Sequence, residues 1–239
     1  MTSQRVLLLI PPLTQLNTPY PSTAYLTGFL ESRGIFAEQA DLGIEMVLRL
    51  FSRTGLTRVF HEVRQYDGEL PPEAIAMLSK EQTYLDRIDQ VVAFLQGKQP
   101  DAAGELLRRG VLPRGPRFRG RTTFARSTPT QDRAKQWATL FLEDLADLVQ
   151  ALVSPHFALS RYGEHLTRSS SSFDGMLAAL EEIPTVTDEL MLESLQAHLN
   201  RTTPTLVGLT VPFPGNLYGA FRIAQAIKQQ QPHLPIVLG

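Results

Sequence analysis

Arg5-Val-Leu-Leu-Leu-Ile10, followed at once by Pro11-Pro12, is the stretch that decides how this chain folds. Five apolar residues in a row leave no polar face. The prolines behind them can neither continue a helix nor donate to a sheet ladder. Such a run reads as a strand buried on both sides, the habit of parallel sheets covered by helices. Working outward, residues 11–21 read as a loop, and Ser22 is placed to cap a helix. Ala24, Leu26, Phe29 and Leu30 supply that helix with an apolar face, and Gly34 ends it. Residues 35–42 read as a second strand closing at Asp41. This is a β-α-β unit of the expected length.

The same grammar returns near the other end. Thr205-Leu-Val-Gly-Leu-Thr-Val211 reads as a strand and Pro212-Phe-Pro-Gly-Asn216 as a loop. Residues 217–230 form a helix pattern with Leu217, Phe221, Ala224 and Ile227 on one face. Pro232 and Pro235 bracket a turn into a last strand, Pro235-Ile-Val-Leu-Gly239. A doubly wound domain places its ligand loops after such strands, so the sequence reads as the front part of a larger protein.

Between these halves, residues 44–203 show helical periodicity and almost no strand signal. Ile75, Leu78, Leu85, Ile88, Val91, Val92 and Leu95 follow it. So do Trp137, Leu140, Phe141, Leu145, Leu148, Val149 and Leu152, in a segment free of Gly and Pro, and then Leu190, Leu195 and Leu199. Arg114-Gly-Pro-Arg-Phe-Arg-Gly-Arg121 is a basic Gly/Pro loop, and residues 169–172 are a serine run that reads as a linker or turn. The expected fold class is therefore α/β. Residues 1–43 and 204–239 would form one Rossmann-like parallel sheet, with an all-helical insertion or cap over 44–203.

Bulk properties exclude several functions. With 239 residues, 43% hydrophobic and 20% charged, the chain can bury a real core. A formal net charge of -1 gives no electrostatic reason for nucleic acid or an anionic membrane as partner. The absence of cysteine excludes disulfides and thiolate metal sites within the segment and is compatible with a reducing, cytoplasmic setting. Pro11 and Pro12 cut the first apolar run short of a signal peptide. No run approaches the ~20 apolar residues of a membrane span.

Two loops carry the candidate chemistry, residues 11–22 and 210–218. Both follow the carboxyl ends of expected strands, where open α/β sheets bind ligands. Both precede helices, whose first amides favour phosphates and other acceptors. Asp41 stands where a strand-end acid often meets a ribose or similar hydroxyl; it is equally suited to capping a turn. The G-x-G-x-x-G fingerprint is missing after the first strand, and so is the P-loop pattern, which argues against ordinary NAD and NTP sites. Of the histidines, His61 beside Glu62 and His165 beside Glu164 have no recognised metal-ligand spacing. Arg114, Arg117, Arg119 and Arg121 could grip a phosphate or an acidic partner face, although the Gly/Pro content favours a solvated loop.

The order of these elements resembles the start of cobalamin-dependent radical S-adenosylmethionine (SAM) proteins. The resemblance rests on Val6-Leu-Leu-Leu-Ile-Pro-Pro12, Pro19-x-Pro21, Tyr25-Leu-x-Gly-Phe-Leu30, Gly34 and Asp41. It continues in Val207-Gly-Leu-Thr-x-Pro-Phe213, the helix after it, and Pro235-Ile-Val-Leu-Gly239. It covers roughly residues 4–42 and 204–239, not the helical insertion. Cobalamin domains of the mutase and methionine-synthase type carry D-x-H-x-x-G, whose histidine ligates cobalt. Here the matching stretch is Thr210-Val-Pro-Phe-Pro-Gly215, so proline stands at the histidine position and threonine at the aspartate that would orient it. The resemblance thus implies a cobalamin held without a lower histidine ligand. Its implied contacts are Pro12, Thr14, Asn17 and Ser22 on the first loop, Asp41 behind them, Thr210, Pro212, Gly215, Asn216 and Tyr218 on the second, and Gly239 at the sheet edge.

The resemblance also implies a downstream radical SAM domain holding a [4Fe–4S] cluster and SAM, which a cysteine-free segment cannot build. The segment itself would bind rather than catalyse, for methyl transfer or radical modification. The second expectation is a cofactor-free scaffold or substrate-docking module, which large side chains filling the site would favour. A third is a transferase binding a nucleotide-linked donor, for which Asp41 is the candidate charged group.

Overall fold

The computed structural model describes residues 4–12, 16, 20–121, 127–159, 173–212 and 214–239. The strands are β1 (Arg5–Ile10), β2 (Phe36–Asp41), β3 (Leu206–Leu209) and β4 (Ile236–Leu238). They form one all-parallel sheet in the order β2-β1-β3-β4. β1 pairs with β2 from Arg5–Phe36 to Ile10–Asp41, and with β3 from Val6–Leu206 to Leu9–Leu209. The apolar Arg5–Ile10 run is therefore a central strand, hydrogen-bonded along both edges, as a run without a polar face requires.

The helices among the described residues are α1 (Ser22–Ser32), α2 (Leu42–Leu50), α3 (Arg53–Arg64), α4 (Pro72–Leu78), α5 (Glu81–Leu95), α6 (Ala103–Leu106), α7 (Thr130–Leu152), α8 (Asp174–Glu181), α9 (Val186–Thr202) and α10 (Leu217–Gln230). The chain divides into two units, Met1–Val47 with His156–Gly239, and Leu48–Pro155. Helices α8 and α9 thus fall in the unit of the sheet, whereas the 44–203 boundary grouped them with the helical insertion. The reason is tertiary: α9 packs on β1 and α10, and α8 on α10. Helical periodicity shows that a face is apolar but not what covers it.

In the first unit the strand alternation sorts side chains onto two faces. Val6, Leu8 and Ala37 pack with Leu30, Ile35 and Leu206 on one. Leu7, Leu9, Val207 and Leu209 point to the other and are buried. Glu38 shares that second face through its pairing with Leu7 and accepts a hydrogen bond from the Thr202 hydroxyl, which places α9 there. Gly208 sits on the first face, where an added Cβ would lie 2.8 Å from Leu8 Cδ2. The strand can pack tightly at that point because the residue has no side chain. At the sheet edge, Val237 and Leu238 of β4 are exposed.

Helix α1 departs from expectation. Leu26 is 46% and Phe29 56% exposed, and the buried residue of the helix is Thr23. Thr27 and Leu30, on the same side as Thr23, are partly buried. The apolar stripe Ala24, Leu26, Phe29 therefore does not face the sheet. Ser22 does not cap the helix either. It is the first helical residue, and its hydroxyl is 2.9 Å from that of Thr210. Anchoring Ser22 to β3's end sets the phase of the helix, so Thr23 rather than its apolar neighbours turns inward. Gly34 ends the turn with a φ of 73°, a conformation that glycine adopts without a Cβ penalty.

In the second unit α3, α5 and α7 pack around Leu56, Phe60, Ile88, Val91, Phe141, Leu145 and Val149. Tyr84 lies between Phe60 and Phe141, its ring centroid 6.0 Å from the first and 5.2 Å from the second. The 23 residues of α7 form one unbroken helix, as the absence of Gly and Pro predicts. Among the described residues, no helix is long and apolar enough to cross a membrane.

Candidate functional site

Strand order fixes where the first unit can hold a ligand. From the centre, β1 connects through α1 to β2 on one side, while β3 connects through α10 to β4 on the other. Right-handed crossovers then put α1 and α10 on opposite faces. The loops after β1 and β3 part at their shared carboxyl edge, which is the switch point where open parallel sheets form a crevice. Pro11 and Pro12 after β1, and Thr210 to Pro212 after β3, flank it.

The structure brings several of the sequence-derived residues together there. The Ser22 and Thr210 hydroxyls meet at 2.9 Å, and Thr210 is buried. The Asn216 amide donates to the carbonyls of Pro11 at 3.2 Å and Pro12 at 3.1 Å. Two carbonyl acceptors fix which end of the amide is nitrogen. Asn216 Oδ1 is then left buried with no partner among the described residues. The Gly215 backbone lies in the 3-10 turn Pro214–Asn216 that leads into α10. At the start of α10, an added Cβ at Gly219 would sit 2.9 Å from Pro12 Cδ, so only glycine lets the helix approach the first loop this closely. Gly239 extends the β3–β4 ladder: its amide donates to Leu209 at 3.0 Å, and its carbonyl accepts from Val211 at 2.6 Å. Pro212 follows this pair on the second loop. Thr14 and Asn17 lie outside the described residues.

Two of the proposed contacts turn elsewhere. Asp41 ends β2 beside Ile10, but its carboxylate accepts from the Ile44 amide at 2.9 Å and so caps α2. Burial raises its pKa against the pull of the Ile44 and Gly43 amides. The candidate charged group of a nucleotide-linked donor site is thus engaged as a helix cap. Tyr218 is buried, and its hydroxyl donates to Asp188 at 3.1 Å while accepting from Arg222 at 3.0 Å. Desolvation pushes its pKa up to about 12.

That tyrosine belongs to a polar network that sequence reasoning did not find. Arg222 is buried and donates to the carbonyls of Ala179 at 2.8 Å, Leu180 at 2.7 Å and Glu182 at 3.2 Å. It satisfies the last carbonyls of α8, where a cation also meets the negative end of the helix dipole. Asp188 closes a capping box with Thr185. A cavity of about 20 Å³ lies beside this network, lined by Pro12, Met46, His156, Asp188 and Tyr218 among others. That is room for roughly one water. The only sequence signal was the Thr185-x-x-Asp188 spacing, an ordinary helix start.

A second cluster was missed as well. His198 is buried on α9 with its Nε2 2.7 Å from Glu45 and its Nδ1 2.8 Å from Arg201. A guanidinium only donates, so Nδ1 accepts and Nε2 donates to Glu45. Arg201 also pairs with Glu38 and holds its carboxyl below the usual carboxylate range. Among the described residues no group of three or more His, Cys, Asp or Glu side chains is placed to hold a metal.

Comparison with family models, with curated proteins and with solved structures found no match to this chain.

Proposed function

We propose that the carboxyl edge of the sheet, between β1 and β3, holds a cobalamin, and that the chain is the cofactor-holding part of a radical SAM protein. On this reading the sheet unit is a Rossmann-like, cobalamin-binding-like domain, and the helical unit is an insertion into it. The [4Fe–4S] cluster and SAM need cysteines this chain lacks and would belong to another domain of the same protein. The observation that supports the reading is the strand order β2-β1-β3-β4, in which the carboxyl ends of β1 and β3, where both candidate loops begin, lie side by side at the switch point.

The residues there fit a bulky cofactor held by backbone and small polar groups. Thr210, Pro212 and Gly215 would face the ring without a cobalt ligand, because proline occupies the histidine position. Ser22 and Thr210 offer hydroxyls, and Asn216 Oδ1 is a buried acceptor with no partner among the described residues. When bound, the group would supply methyl-transfer or radical chemistry, and the chain's part would be orientation.

One observation favours the scaffold reading instead. Ser22, Thr210 and Asn216 already bond to one another or to the loop backbone, as a self-sufficient edge would.

The test is an absorbance spectrum of the full chain after incubation with hydroxocobalamin and desalting. Retained corrin absorbance that falls in Gly215→Val supports the cofactor reading. A folded, colourless protein supports the scaffold.

A further inference from the structure

The helical unit contains a larger cavity than the one beside Tyr218, and the basic loop forms one wall of it. Its volume is about 490 Å³, lined by Glu73, Met77, Lys80, Tyr84, Arg114 and Phe118, among others. Small-molecule sites occupy roughly 300–1,000 Å³. All of its lining residues belong to Leu48–Pro155.

The loop that walls it is built, not merely solvated. Asp144 is buried and accepts from the amides of Gly115 at 2.9 Å and Arg117 at 2.8 Å. An added Cβ at Gly115 would lie 2.5 Å from that carboxylate, so the approach depends on glycine. Arg117 makes a bidentate pair with Asp147 at 2.6 and 2.7 Å. Phe118 is buried edge-on against Trp137, with ring centroids 6.2 Å apart. The Arg114 guanidinium carbon lies 4.2 Å from the centre of the same indole. These contacts fix the backbone and the stem of Arg114 before any ligand arrives, so little ordering cost remains.

Much of the charge on the rim is unspent. Lys80 and Arg114 have no acidic partner among the described residues, and Arg119 meets Glu73 only at 3.8 Å. Three cations thus face one carboxylate around the opening. The wall between them includes Met77 and Phe118, both buried. Tyr84 is 1% exposed and lines the cavity, and its hydroxyl has no hydrogen-bond partner among the described residues. Buried tyrosine hydroxyls ordinarily find a partner. Burial raises the pKa of this phenol, so it stays a neutral donor at physiological pH.

We propose that this cavity binds an organic anion with an apolar body, its charged head between Lys80 and Arg114 and its body against Met77, Phe118 and Tyr84. The common chemistry is a phosphate or carboxylate head on an acyl or similar tail.

Trp137 is the single tryptophan of the chain and lies under Arg114, so its emission reports on the site. The full chain is titrated with octyl phosphate, with octanoate, and with octanol as the neutral control. Saturable change with octyl phosphate, octanoate or both is expected, with octanol at least about tenfold weaker. Calorimetry repeats the titration independently of the indole. Lys80→Gln, an exposed change that leaves the core intact, should weaken the anion several-fold, and Lys80→Gln with Arg114→Gln by about tenfold or more. Arg114→Lys should restore part of the loss. Absence of saturable binding by either anion overturns the proposal. So does equal binding of octanol, or full affinity in the folded double variant.

Discussion

The loops at the sheet edge and the basic loop of the helical unit are both rich in Gly and Pro, but they dispose their polar groups in opposite ways. At the edge, side-chain polar groups turn inward: Ser22 meets Thr210, and Asn216 holds the carbonyls of Pro11 and Pro12. In the basic loop the backbone turns inward, to Asp144, and the cations of Arg114 and Arg119 remain at the rim. A buried hydroxyl or amide is ordinarily bonded, and a bonded one is first of all structural. An exposed cation has little structural worth and remains available to a ligand. The contrast teaches that a polar residue in a loop is not evidence of a site until the destination of its hydrogen bonds is known.

The sharpest way to break this contrast is Asn216→Ala. It removes the donor that two buried carbonyls share and should cost about 3 kcal/mol, read as a fall in the urea midpoint. A neutral result would mean that the amide is not structural at this edge. Asp144→Ala releases the amides of Gly115 and Arg117, which are less buried, and should cost about 2 kcal/mol. The same variant should abolish octyl phosphate binding, since the cavity wall depends on that carboxylate. A double-mutant cycle on Ser22→Ala and Thr210→Val should return a coupling of about 1 kcal/mol. At the other extreme, Lys80→Gln should change stability by less than about 0.5 kcal/mol, since the side chain is exposed. A larger loss would show that the rim cation is structural after all.

The smallest effect is electrostatic. The pKa of Asp41 is raised because burial outweighs its two amide contacts. The folded protein therefore holds that proton more tightly than the unfolded chain does. The stability it contributes is present below the ordinary value of 3.8 and is lost as pH rises through the raised folded value. Asp41→Asn should lack this decline. The stability of the parent chain relative to the variant should thus fall as pH rises across that window, measured by urea unfolding at a series of pH values. An opposite slope would mean that the amides of α2 dominate over burial.

Much of the candidate edge was legible because loops after strands are a local feature. Ser22, Thr210 and Asn216 were placed at it from sequence; Ser22 and Thr210 meet there, and Asn216 bonds the carbonyls of Pro11 and Pro12. Asp41 and Tyr218 were placed there too, and their functional groups turn to α2 and to Asp188. Position in a loop is local; the direction of a side chain depends on neighbours far along the chain. The partner of Tyr218 is 30 residues away, and that of Ser22 is 188. The Arg222 and His198 clusters escaped for the same reason, since each also depends on partners from another element, the end of α8 for Arg222 and Glu45 of α2 for His198.

By itself the sequence determined the α/β class, the β-α-β ends around a helical stretch, the helical character of α7 and the extent of α10. Apolar periodicity and proline placement act over a few residues and need no tertiary partner to be read. Only the tertiary structure decided the strand order, the membership of α8 and α9 in the unit of the sheet, and the outward turn of Leu26 and Phe29 on α1. Each of these is settled by contacts between segments distant in sequence. A helix with apolar residues on more than one side has several permissible phases until something like the Ser22–Thr210 hydrogen bond selects one.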